Sequence, residues 1–91
     1  MKERYEVLRQ IRLYMRDDIE TFTKELGFSS AEYVKGVESG RIANVEYIYD
    51  RYAKLIGIKS VTIKMMVKEA EKNHYTSQEI ASELRRILKV D

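Results

Sequence analysis

Residues Ile19 to Gly40 read IETFTKELGFSSAEYVKGVESG, and the fold turns on this stretch. Ile19, Phe22 and Leu26 share one side of a short helix, about Ile19 to Leu26, because such steps return to the same helical face. Gly27 follows, free to take the left-handed conformation that ends a helix. After Phe28, either Ser29 or Ser30 supplies a hydroxyl to cap a further helix, which turns Val34 and Val37 inward. Ser39-Gly40 is the next stop. The stretch therefore predicts two short helices joined by a tight turn.

Working outward, the same reading covers the rest of the chain. Lys2 to Arg16 places Tyr5, Leu8, Ile11, Arg12 and Met15 along one helical face. Of Asp17 and Asp18, the second is the expected cap of the following helix, with Glu20 in its first turn, where a carboxylate suits the helix dipole. Asn44 is expected to cap a fourth helix, Val45 to Ile56, with Ile48, Tyr49, Tyr52 and Ile56 inward and Gly57 closing it. A fifth, about Ser60 to Lys72, carries Ile63, Met66, Val67 and Ala70 on one side. Thr76-Ser77-Gln78-Glu79 reads as a capping box opening a sixth helix with the stripe Ile80, Leu84, Ile87 and Leu88.

Composition narrows the class. With 91 residues opened by Met1, the expectation is one complete small domain; 44% hydrophobic residues suffice for one modest core. Proline is absent, so nothing strongly breaks these helices. No apolar run is long enough to span a bilayer and no signal peptide opens the chain, so no membrane partner is expected. The lack of cysteine excludes disulfides and thiolate zinc sites and fits a reducing, cytoplasmic location. Net charge is +2, and Met1 to Val45 carries as many acidic as basic residues, so charge alone does not mark a nucleic-acid binder.

Leu8, Ile11, Arg12, Phe22, Leu26, Gly27, Val34, Val37, Glu38 and Gly40, followed by Ala53, Ile56, Gly57 and Ile58, resemble the pattern of the lambda-repressor-like (XRE) helix-turn-helix family over about Leu8 to Ile63. The resemblance implies an all-α fold: a compact five-helix domain over residues 1–73, with a sixth amphipathic helix in 74–91 that packs on it or mediates dimerisation. It also implies a pairing of Arg12 with Glu38, a fork-shaped guanidinium locking the first helix to the end of the third. Spacing departs from the family once, by one extra residue between Gly27 and Glu38, absorbed around Phe28-Ser29-Ser30.

In that family the third helix enters the major groove. Aligned back from Val34, the base-facing positions here are Ser30, Ala31, Glu32, Lys35 and Gly36. Lys35 could reach guanine or phosphate, Glu32 could accept from cytosine, Ala31 could touch a thymine methyl, and Ser30 could donate to phosphate. Arg41 and Asn44 stand where phosphate contacts are expected, with Glu46 opposing them. The implied function is a small repressor or phage-switch regulator, binding double-stranded DNA as a dimer on a palindromic operator without a cofactor.

The alternative is a protein-interaction module, an antirepressor or adaptor whose partner would be a protein such as a repressor, that kept the fold and lost DNA reading. Tyr33, Tyr47 and the stripe Ile80, Leu84, Ile87 and Leu88 would then be contacts, and the same stripe could instead form a homodimer. Tyr49 and Tyr52 read as core. Catalysis has no support in the sequence: His74 is the only histidine, and there is neither a Gly-rich phosphate loop nor a metal-ligand cluster.

Overall fold

A computed structural model describes residues 2–16, 18–43 and 46–88. Among these the chain forms α1 (Lys2–Met15), α2 (Ile19–Leu26), α3 (Ala31–Ser39), α4 (Glu46–Ile56), α5 (Ser60–Asn73) and α6 (Ser77–Leu88), with no strand. The helix starts follow from local chemistry. Asp18 accepts from the Thr21 N–H at 2.8 Å, and the Ser30 hydroxyl oxygen accepts from the Glu32 N–H at 3.1 Å. At α6 the box closes reciprocally: the Thr76 N–H donates to Glu79 Oε1 at 2.8 Å, and the Glu79 N–H to Thr76 Oγ1 at 3.2 Å. Asn44 and Val45, expected to open α4, lie outside the described residues.

α1 is the axis of the molecule, with α3, α5 and α6 packed around it; α2 rests on α3 and α4, and α4 on α5. A helix surrounded on several sides buries more than one stripe. Accordingly α1 encloses Val7 with Leu8 and Ile11, and even Glu3 is buried, whereas Tyr5 and Met15 are half-buried. Val7 stands four residues before Ile11 and so shares its side of the helix. In α4 the inward set is Ile48, Tyr49, Tyr52 and Ala53, with Ile56 half-buried at the margin.

Phe22, Leu26, Val34, Val37, Ile63, Met66, Val67 and Ala70 complete the core as the spacing predicts. Each large side chain enclosed in this way contributes roughly 1.5–3 kcal/mol. Arg4 donates to Glu71 through Nε at 2.6 Å and Nη2 at 3.3 Å, tying α1 to α5.

The stripe of α6 is covered from within the chain. Ile80 and Leu84 are buried, and Ile87 and Leu88 are half-buried against the same core. α6 packs along α1, and Ile80 and Leu84 are enclosed in that contact. Among the described residues, no helix is long and apolar enough to cross a membrane.

Candidate functional site

The turn between α2 and α3 is built around Gly27. At φ 84° its N–H donates to the Lys24 carbonyl at 3.0 Å, and the next N–H, of Phe28, reaches back to Thr23 at 3.1 Å. These bonds satisfy carbonyls that the end of α2 would otherwise leave open. The turn brings the Phe28 ring against Tyr33 of α3, centroids 4.8 Å apart and edge-on, and against Tyr47 of α4 at 6.0 Å. Arg51, one helical turn beyond Tyr47, lays its guanidinium 5.6 Å from the Tyr47 ring and 5.8 Å from Phe28. Its Nη1 donates to the Leu26 carbonyl at 2.8 Å.

α3 is held at both ends. Ser30 caps its start, and Arg12 grips its last turn through Nε to Glu38 Oε2 at 2.8 Å and Nη2 to Oε1 at 3.0 Å. The side chains of this pair are only 18% and 8% exposed, so two charged hydrogen bonds act in a partly dry setting. The bond to Glu38 raises the Arg12 pKa further, against the opposing effect of burial. Tyr52 lies nearby with its hydroxyl buried; burial, with a further push from the Glu38 carboxylate, holds that phenol above its ordinary range, against the pull of Arg12.

Between these anchors the expected base-facing residues divide. Glu32 and Lys35 are exposed and lie 3.4 Å from one another. Ser30 is exposed, though its oxygen already serves the cap, and Ala31 is half-buried. Gly36 is not on the open side. It is buried under Ile42, whose N–H donates to the Gly36 carbonyl at 3.0 Å, and a Cβ there would fall 2.6 Å from Ile42 Cδ1. The segment after α3 folds back over the helix and covers this position, which spacing from Val34 could not reveal. Arg41 is exposed beside it. Asn44 lies outside the described residues. The carboxylate of Glu46 is engaged by Lys64 at 2.6 Å.

Tyr33, half-buried, and Tyr47, exposed, stand together rather than apart. With Phe28, Arg41 and Ile42 they line a cleft of about 570 Å³ that opens beside the start of α3. Phe28, Ile42 and Arg51 were missed as site residues from the sequence. The Tyr47–Arg51 spacing was the available signal, since residues four apart on a helix are neighbours. The chain matches no protein-family model, no curated protein and no solved structure. Among the described residues, no group of three or more His, Asp or Glu could hold a metal ion. His74 is exposed and sits 3.6 Å from Glu3 at the far end of the molecule's C-terminal helices.

Proposed function

We propose that this chain is a DNA-binding transcriptional regulator with a lambda-repressor-like arrangement, α2 and α3 forming the helix-turn-helix and α3 entering the major groove. The observation that carries the reading is the way α3 is held: capped by Ser30, clamped by Arg12 to Glu38, and exposing Glu32 and Lys35 between the two anchors. A helix that reads base edges must be fixed in orientation while its outward side chains stay free to reach them. Lys35 would contact guanine or phosphate, Glu32 cytosine, Ala31 a thymine methyl, and Arg41 and Asn44 the backbone. Occupying an operator would exclude polymerase, and no cofactor enters.

Reading a palindrome requires two copies. Since Ile80 and Leu84 are enclosed, self-association would fall to the exposed apolar side chains, Leu13 and Tyr14 of α1 or Val61 and Met65 of α5. Fluorescence anisotropy with mixed-sequence duplexes across a salt series tests the function. Binding that weakens steeply with salt is expected, and its absence at low salt sinks the reading. Lys35→Glu should abolish binding; unchanged affinity would remove α3 from the groove.

A second reading, a protein-interaction module that has lost DNA recognition, is favoured by one observation: Glu32 and Lys35 neutralise each other on the exposed side of α3. It predicts no salt-dependent duplex binding and retention of a protein partner by wild type.

A further inference from the structure

If α3 faces DNA, its own surface supplies little grip. Glu32 cancels Lys35, and Asp18 and Glu20 of α2 are also exposed. Each neutralised phosphate strengthens binding through counterion release, so the hold on the backbone must come from another part of the surface. Among the described residues, the cleft beside the start of α3 combines a cation with apolar walls at that position. Its walls are the rings of Phe28, Tyr33 and Tyr47 with Ile42; Arg41 stands at its edge, and the Arg51 guanidinium lies against two of the rings. Ser30 and Glu32 line the cleft as well as opening α3, so a strand passing the start of α3 also passes over this cleft.

The geometry points to this cleft as the seat of a sugar–phosphate segment of one DNA strand, with Tyr47 and Tyr33 as positioning residues. A deoxyribose–phosphate unit has an apolar flank to lie on ring faces and an anionic edge to meet donors. Burial first, and then the neighbouring Tyr47 phenol, raise the Tyr33 pKa, as expected of two hydroxyls that share one wall of the cleft. A phenol hydroxyl carries one proton that it can donate to an outside acceptor. At about 570 Å³ and open along one side, the cleft has room for a chain segment. The wall is set in place beforehand: Arg51 is fixed by the Leu26 carbonyl and packs on both Phe28 and Tyr47. Tyrosine hydroxyls and arginines are ordinary backbone-positioning groups, and such contacts set register without reading sequence.

The inference rests on the DNA reading, and the following measurements separate the two. Wild type, Tyr47→Phe, Tyr47→Ala and Arg41→Gln are titrated with several duplexes of unrelated sequence over a salt series, with thermal melts confirming that each variant is folded. Tyr47→Phe should weaken every duplex alike by ~10–100-fold, the loss of one hydrogen bond to a charged acceptor, with the salt slope unchanged because no cation is lost. Tyr47→Ala should weaken them further. Arg41→Gln should lower the slope by about one. Duplex affinity unchanged in Tyr47→Ala, or lost for some sequences only, overturns the seat while the DNA reading stands. Failure of wild type to bind any duplex at low salt removes both. Binding of poly-glutamate that Tyr47→Ala abolishes, beside unaltered duplex affinity, would assign the cleft to a protein partner and overturn the proposal.

Discussion

The guanidinium of Arg51 occupies the space that a side chain on Gly27 would need. Its Nη1 bonds to the Leu26 carbonyl at 2.8 Å, and a Cβ built on Gly27 would overlap that same nitrogen. Gly27 also has φ 84°, a conformation that L side chains adopt at a cost. The glycine thus serves the end of α2 and the docking of α4 together.

Gly27→Ala should therefore destabilise the protein by about 2–3 kcal/mol, from left-handed strain and a displaced hydrogen bond. In an Arg51→Ala background the same substitution should cost only the backbone strain, about 1–2 kcal/mol. Urea denaturation of the four proteins in this cycle gives the coupling directly; purely additive losses would show that the two residues are independent.

Removing one partner from the Arg12–Glu38 pair leaves a partly buried charge facing no counterion. Arg12→Ala should lower stability by about 3 kcal/mol, whereas replacing both partners by Met should cost clearly less. Equal losses in the single and double variants, read by thermal melts, would contradict this account of the clamp.

Leu84 tests whether α6 belongs to the core. Leu84→Ala opens a cavity against α1 and should cost about 2–4 kcal/mol, with the mass by light scattering unchanged. A stable variant with an altered association state would instead place Leu84 between copies.

Asp18 governs part of the acid response. Its carboxylate accepts from the Thr21 N–H and then the Thr21 hydroxyl, and these bonds lower its pKa below the ordinary value of 3.8. The folded value lies below the unfolded one, so the contribution is complete above the unfolded value. It is lost as pH falls through the folded one. Melts taken downward from pH ~5 should show a decline that is smaller in Asp18→Asn, since that side chain does not ionise. Identical profiles for the two proteins would remove Asp18 from the acid transition.

Much of this molecule is legible in its sequence. Asp18 and the Thr76–Glu79 box act on backbone groups within three residues, so their effects are local and sequence states them; at α3 sequence offers Ser29 or Ser30, and the bond to the Glu32 N–H selects Ser30. The inward positions of α2, α3 and α5 likewise follow from helical repeat. Arg12 and Glu38 are 26 residues apart, and nothing local joins them; family resemblance suggested the pair, and folding of α3 against α1 forms it.

Tertiary structure alone decided the rest. The lid of Ile42 over Gly36, the enclosure of Ile80 and Leu84, and the stack of Arg51 on Phe28 and Tyr47 all depend on which helices meet. Periodicity tells a helix which face is apolar, but not what will cover that face. The stretch from Ile19 to Gly40 thus determined two capped helices and their turn by itself. The aromatic cleft beside them exists only because α4 brings Tyr47 and Arg51 to the turn at Phe28.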